Sequence, residues 1–461
     1  MYIQIFPAPE QGRTIFRMCT HTMKTKRILP YTLMLAGLLL AHPPTIAAET
    51  LEERVARLEN ELAELKTLLI KSPETTATSP EPPVASYATK APASIAVTTN
   101  SGVSAQLYGF ARLDASYDSS PVNPGNIALW AQPGTGGSDG EWNLTAGATR
   151  LGINFSGPDT GYLKLSGNVE LDFLGGGSEN NLNPRLRHGY LKACWPASDF
   201  SVTAGQTWDL VSSLIPFVDD PGMMWASGNI GTRHPQLRLT KGFAVGEKSR
   251  LEIAAAASRT IGEKNTPGTD TGKDADMPTV QGRIAFSTPL TDSGKTAAIA
   301  LSGHYGQEEW DSDKLNHHET IDSWSCNVEL SFPLSSRLLL AGEYFTGSNL
   351  DDYWGGVFQG VNAKGAKPEG IRSSGGWAAL RYAYSPAVTI SLGGGFDDPE
   401  NGDLSGMENP RTFNRSLFAA YVNQLTPNFV FGLQLSKWDT GYLNTPDSDA
   451  VRAQSSMTYR F

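Results

Sequence analysis

The feature that most constrains this chain is a two-residue alternation of polar and apolar side chains, sustained over segments longer than soluble sheets use. From Val103 onward about sixteen segments have strand character: 103–117, 147–156, 161–173, 185–196, 200–210, 235–243, 248–260, 278–289, 295–306, 321–334, 337–346, 371–384, 387–397, 412–425, 428–439 and 449–461. Strands in globular sheets average about five or six residues, whereas a tilted membrane-crossing strand needs roughly nine to eleven. Most of these segments reach that length. Leu151, Ile153 and Phe155 oppose Arg150, Asn154 and Ser156; Val280, Ile284 and Phe286 oppose Gln281, Arg283 and Ser287. Trp324, Cys326, Val328, Leu330 and Phe332 oppose Asn327, Glu329 and Ser331. In the last segment Val451, Ala453, Met457, Tyr459 and Phe461 share one face, and Arg452, Gln454, Ser456, Thr458 and Arg460 the other.

The connections carry a second signal. Links after even-numbered segments are tight, such as "GPDT", "ASD", "AVGE" and "SP", while those after odd-numbered ones are mostly long, including 118–146, 211–234 and 347–370. A soluble sandwich has no reason to keep that rule; an outer-membrane barrel, with short periplasmic turns and longer outside loops, does. A hydrophobic content of 39% and a mean hydropathy of -0.28 exclude a helical membrane bundle. The expected fold is an all-β transmembrane barrel of about 16 antiparallel strands over 103–461. A barrel that wide leaves a water-filled lumen, so the polar faces line a pore and the apolar faces meet lipid.

The amino-terminal part is organised differently. From Met23 the chain runs "MKTKRILPYTLMLAGLLLAHPPTIAAE": a basic start, an apolar stretch from Ile28 to Ala41, and small residues at Ala47 and Ala48. Residues 23–48 read as a secretory signal peptide and 1–22 as an over-extended start. Removing 1–48 takes five Lys/Arg and one Asp/Glu from totals of 37 and 47, leaving a formal net charge of about -14, which argues against a nucleic-acid partner. Of the cysteines left, Cys194 and Cys326 read as small strand residues; a disulfide is chemically open, but no framework or metal spacing is present.

Residues 49–71 place Leu51, Val55, Leu58, Leu62, Leu65 and Leu69 alternately four and three apart, an unbroken coiled-coil seam. Arg54, Val55, Leu58 and Glu59 resemble the Arg-h-x-x-h-Glu pattern (h, apolar) of three-stranded coils, so a trimer is expected; a lone amphipathic helix packed on its own domain is the alternative. So short a coil draws on association elsewhere in the chain. Residues 72–102, rich in Pro, Ser, Thr and Ala, read as a linker.

Together these features resemble the outer-membrane porins of Gram-negative bacteria and, more narrowly, the DcaP-type trimeric porins. "AQLYGFARLDASYD" in the first strand, "RHPQLRLTKGF" in the sixth and the terminal "TYRF" carry the likeness. The resemblance implies a homotrimer in the outer membrane, with a periplasmic coil, passing small, often carboxylated, solutes by passive diffusion. It also implies that Tyr459 and Phe461 form a signal for the barrel-assembly machinery. Phosphate-selective and sugar-selective porins share parts of this architecture and stay open as alternatives. A barrel serving as envelope anchor or adhesin, its coil touching peptidoglycan, is the reading from a different class.

Alternation nominates lumen residues: Arg112, Arg150, Lys164, Arg185, Arg187, Arg238, Arg283, Arg452 and Arg460 against Asp114, Glu170, Asp172, Glu329 and Glu343. Basic groups outnumber acidic ones, which favours anionic solutes; for each arginine, pairing with a neighbouring carboxylate is the competing role. Much of the acid lies in long links, as in "QEEWDSD", solvated or bridged to lipopolysaccharide by divalent ions. The link "VSSLIPFVDDPGMMWASGNIGTRH" is unusually apolar, and in porins this connection often folds into the channel. That would bury Leu214, Ile215, Phe217, Met223, Met224 and Trp225 against the wall and set Asp219 and Asp220 beside Arg233 and Arg238; a trimer-contact loop is the alternative. His317 and His318 adjoin in an acidic link, but neither G-x-S-x-G nor H-E-x-x-H occurs, so no enzyme, cofactor or metal is expected.

Overall fold

Sixteen antiparallel strands close on themselves. In the computed structural model they are β1 (Ser104–Asp118), β2 in two pieces (Glu141–Thr145 and Arg150–Ser156), β3 (Lys164–Asp172), β4 (Arg185–Trp195), β5 (Phe200–Trp208), β6 (Arg233–Val245), β7 (Ser249–Ser258) and β8 (Thr279–Pro289). There follow β9 (Thr296–Asp311), β10 (His318–Pro333), β11 (Leu338–Ser348), β12 (Arg372–Ala383), β13 (Val388–Pro399), β14 (Arg411–Gln424), β15 (Phe429–Tyr442) and β16 (Ser448–Arg460). Each pairs with the next, and β16 pairs with β1 from Phe110↔Arg460 to Asp118↔Arg452, so the large sheet has no open side edge along that stretch. The structure describes residues 95–134, 139–158, 160–262, 272, 275–290, 295–311, 318–365 and 367–461. The expected signal peptide, the coil with Leu51, Arg54, Val55, Leu58, Glu59, Leu62, Leu65 and Leu69, the linker up to 94, and His317 lie outside the described residues.

The alternation sorts as expected. On β16, Met457 and Tyr459 are 50% and 55% exposed on the outer face, while Gln454 and Ser456 are buried on the inner one. Leu151, Val280, Ile284, Val328, Leu330 and Leu435 continue the apolar outer surface around the barrel, which suits a hydrocarbon surrounding and not water. Links after even strands are short, such as 196–199, 246–248 and 334–337; those after odd strands are longer, such as 119–140, 209–232 and 349–371.

Several boundaries differ from the sequence expectation. β9 and β10 run on to Asp311 and from His318, past the expected 306 and 321, because backbone pairing continues where the outer residues (Gln307, Glu309, Thr320, Asp322) have turned polar. β2 starts earlier, at Glu141, and is interrupted by a turn at 146–149. Pairing also begins before Val103: Ile95–Thr98 lies alongside β1 from Ile95↔Leu107 to Thr98↔Ser104. It takes over the β1 edge where β16 runs out, next to Phe461, whose N–H donates to Gly109 O (3.1 Å) and whose carbonyl accepts from Gly109 N (3.3 Å). The Phe461 ring covers Gly109, which leaves no room for a side chain there. Cys194 and Cys326 are unpaired strand residues.

The largest departure from a plain tube is Asp209–Thr232, which folds into the lumen and is hereafter the inward loop. Its backbone lies outside the large sheet: turns of its own and the Tyr353 and Trp354 carbonyls satisfy part of it, and polar side chains of the wall satisfy more. Leu210 N donates to Gln281 Oε1 on β8 (2.8 Å), Leu214 N to Glu343 Oε1 on β11 (2.7 Å), and Asp219 N to Gln434 Oε1 on β15 (2.6 Å). Ser213 Oγ donates to Glu329 on β10 (2.7 Å), Asn414 Nδ2 on β14 donates to Ala226 O (2.6 Å), and Arg112 Nη2 on β1 donates to Asp219 O (2.6 Å). Leu214 and Met224, with Phe217 and Val218, pack on Ala341, Trp377, Ala379, Phe418 and Ala420, where small wall residues make space. Gly228, at φ +112°, passes so close to the Gly376 carbonyl that a β-carbon would overlap it.

Candidate functional site

The hydrogen bonds just described carry the inward loop across the inner faces of β8, β10, β11, β14 and β15 to β1. None of them runs to β2–β4. Two further long links fold against the wall. In 349–371, Leu350, Tyr353 and Val357 are buried, the Tyr353 ring stacks on His304 (3.9 Å between centroids), and Trp354 meets Trp225 edge-on (4.0 Å). The Val122–Pro124 and Ala128–Ala131 hairpin packs on Trp438 and Ala450. On the inner faces of β1–β4, at the margin of these inward segments, Arg112, Arg150, Arg185 and Arg187 gather, with Arg112 bonded to the Asp219 carbonyl and Arg185 beside the Trp354 ring.

Their geometry combines the two roles that alternation left open. Arg185 and Asp172 form a two-pronged pair, Nε to Oδ1 at 3.0 Å and Nη2 to Oδ2 at 2.7 Å. Arg187 bridges Glu170 (2.6 Å) and Asp172 (2.8 Å), and Arg150 stands 3.5 Å from Glu170. Tyr108 donates to the other Glu170 oxygen at 2.8 Å. Arg112 pairs with Asp114 at 2.6 Å. The partners differ sharply in what solvent sees: the Arg150 and Arg185 side chains are 25% and 23% exposed, those of Glu170 and Asp172 only 7% and 2%. The carboxylates sit beneath and the guanidiniums face the lumen, so charge-assisted hydrogen bonds fix the arginines without neutralising their outer surface.

The loop acids lie elsewhere than expected. Asp219 and Asp220 are not beside Arg233 and Arg238. Asp219 stands 3.5 Å from Arg112 and Asp220 3.5 Å from Arg452, because both are at the tip of a loop that crosses the barrel, while Arg233 and Arg238 stand at its root. Asp220 Oδ1 also accepts from Gly222 N (2.6 Å), and burial pushes its carboxyl above the usual carboxylate range despite Arg452. Arg452 does not border open lumen: it is 1% exposed, tied to Asp118, Ser116 and the Gly125 carbonyl. Arg460 lies at the short-turn end, away from the cluster. Arg283 pairs with Glu329 (2.8 Å) and, at 3.8 Å, Glu252; Arg238 donates to Gln236 and the Trp208 carbonyl. Trp225 is sealed, its indole N–H on Gly231 O (3.2 Å), and Phe217 lies edge-on to Trp377 under the Arg381 guanidinium.

Sequence reasoning missed Trp208 and Trp354, whose rings border Arg233 and Arg185. It also missed the inward course of 349–371, although "DDYWGGVFQG" is as aromatic as the loop that was flagged. Among the described residues no group of three or more His, Cys, Asp or Glu has a metal-binding arrangement.

A closed sixteen-stranded barrel with an apolar outside and a lumen narrowed by an inward loop has the fold of the outer-membrane porins. No family model matches the chain, and no curated protein sequence matches it. Solved structures do. It is similar to the outer membrane channel DcaP of Acinetobacter baumannii, with a TM-score of 0.65 and 18% identity over 79% of this chain and 99% of that one. It is also similar to the anion-selective porin from Comamonas acidovorans, with a TM-score of 0.51 and 14% identity over 78% and 100% of the respective chains. At these identities the likeness is one of fold.

Proposed function

We propose that the protein is a passive diffusion channel for small hydrophilic solutes that favours anions, carboxylates among them, and works as a trimer in the outer membrane with residues 49–71 as a periplasmic coil. The observation that carries the anion preference is the layering of the narrow zone: partly exposed Arg150 and Arg185 over buried Glu170 and Asp172. Confinement strengthens this, since a low-dielectric wall focuses the field of fixed charges into the water that remains. The acids of the inward loop do not oppose it, because Asp219 and Asp220 point to Arg112 and Arg452. The Comamonas acidovorans porin, similar in fold, is an anion-selective porin.

Reversal potential across a salt gradient in a planar bilayer tests the proposal. The intact protein is expected to pass chloride in preference to potassium, and cation preference sinks the idea. Replacing Arg150 and Arg185 together with Ala is expected to lower the anion-to-cation permeability ratio by a factor of roughly 2 to 5, equivalent to about 0.4 to 1 kcal/mol for two charges in a partly aqueous zone. Absence of any conductance would instead favour the anchor or adhesin reading.

A further inference from the structure

The tip of the inward loop carries more negative charge than its surroundings balance. Asp219 and Asp220 come from the loop and Asp114 and Asp118 from β1; among the described residues, Arg112 on β1 and Arg452 on β16 are the cations paired with them. Glu141, cross-strand from Asp118 at the start of β2, adds a further negative charge. With these groups in their usual ionised forms, the four carboxylates exceed the two guanidiniums by two charges. Asp114, Asp118 and Asp220 are 2%, 1% and 4% exposed, so water screens the excess poorly.

Hydrogen bonding serves the four acids unevenly. Asp114 Oδ1 accepts from Arg112 Nη2 (2.6 Å) and Gln454 Nε2 (2.9 Å), and its Oδ2 from Arg112 Nε (2.8 Å). Among the described residues, Asp118 Oδ1, Asp219 Oδ2 and Asp220 Oδ2 are sealed off without a hydrogen-bond donor. The Asp219 carboxylate fits where Gly432 on β15 has no side chain, 3.5 Å from Arg112. The two oxygens of Asp220 differ. Oδ1 takes Gly222 N at 2.6 Å, which holds the turn, whereas Oδ2 faces Arg452 Nε at 3.5 Å, and that guanidinium is shared with Asp118, Ser116 and the Gly125 carbonyl. A buried carboxylate oxygen without a donor is destabilising, and a proton on it removes that cost together with one unit of the excess charge.

We propose that Asp220 is a proton-operated latch of the inward loop: uptake of one proton from solvent on Oδ2 fastens the loop tip to the β1–β16 wall, and its loss loosens the tip. Oδ1 stays a carbonyl and keeps Gly222 N, so the turn survives, and Arg452 keeps Asp118. The charged groups facing Asp220 are Asp114, Asp118 and Arg112 from β1, Arg452 from β16 and Asp219 beside it in the loop. Protonation gives up attraction to the arginines and ends repulsion from the acids; burial decides the balance and holds the Asp220 carboxyl above its ordinary range. A tip released into lumen water returns Asp220 to an ordinary carboxylate, at about 4. Because the docked value is the higher one, docking strengthens as pH falls through it and gains nothing more below about 4. Between the two values, one-proton linkage changes the ratio of released to docked tip by up to about tenfold per pH unit. The latch works whichever sign of ion the channel prefers.

The test uses the full chain. In detergent, infrared difference spectra recorded from about pH 8 to about pH 4 are expected to show a protonated-carboxyl C=O band that appears at higher pH than those of exposed acids and is missing in Asp220→Asn. In a planar bilayer over the same range, the fraction of time spent in a wider, noisier conductance level, which marks a released tip, is expected to fall with pH by up to about tenfold per unit. Asp220→Asn, which copies the neutral form in shape, is expected to show the acid behaviour at every pH, with unchanged heat modifiability on gels. An infrared series without the Asp220 band overturns the latch. So does a wild-type channel whose level occupancy is independent of pH or rises in acid, or an Asp220→Asn channel that responds to pH as wild type does.

Discussion

Gly228 shows how much of this pore hangs on single residues. It holds φ +112° while its backbone lies against Gly376, and Ser227, beside it, meets Ser416 Oγ to Oγ at 3.0 Å. Gly228→Ala introduces both backbone strain and overlap with a carbonyl, a cost of about 1–3 kcal/mol. The strands do not depend on that contact, so the barrel is expected to assemble while the returning half of the inward loop lifts from the wall. Larger and noisier single-channel conductance than wild type, with an unchanged heat-modifiability shift on gels, is the expected result. Wild-type conductance would mean that the loop is pinned by its other bonds. At this scale the sequence was least legible. Alternation put Arg150, Arg185 and Arg187 on the inner face, and burial of their carboxylates beneath them follows from cross-strand neighbours that a single strand's pattern does not register. Asp219 and Asp220 were misplaced because their partners, Arg112 and Arg452, lie far away in the chain and meet them only once the barrel has closed.

Among the elements, the strands were legible and the inward segments only half so. A two-residue period demands one wet and one greasy face, and all sixteen expected strands are present. Where outer residues are polar, as at Gln307, Glu309 and Asp322, hydrophobicity no longer marks the strand although its backbone bonds persist, which is why β9 and β10 run longer than their patterns. The strand at Ile95–Thr98 fell inside an expected linker because four residues are too few to show a period. Its role at the seam is testable. Replacing Ile95–Thr98 with Gly-Ser sequence removes β-preferring residues from the edge of β1 and is expected to cost about 1–2 kcal/mol. The closed barrel should still form, but unfold at a lower temperature in a heat-modifiability gel. An unchanged midpoint would mean that Phe461 and Gly109 close the seam unaided. For residues 49–71, deletion is expected to leave a trimer on an unheated denaturing gel but to slow its formation. Complete loss of trimer would assign the association to the coil, and no effect would assign the coil another task, such as contact with the cell wall.

At the scale of the whole molecule, strand length and the rhythm of short and long links were enough to anticipate a wide closed barrel, and width alone implied a water-filled interior. What they could not convey is how that interior is divided: covered by the inward loop over much of the wall and left to arginines on β1–β4. The division has a mechanical side. A sheet rolled into a cylinder flattens easily, because each strand pair bends a little and the small bends add around the circumference. The inward loop is fastened at its root by Thr232 N on Asp209 (3.0 Å) and at its tip by Arg112 and Gln434, on strands far around the ring. It is therefore an inner lining stitched to strands far apart on the ring, and a wall tied at several points resists ovalisation better than bare strand pairs do. Squeezing by a thicker or stiffer bilayer would be borne by this brace before it reached the aperture, keeping the cross-section of the opening steady while the surrounding lipid changes.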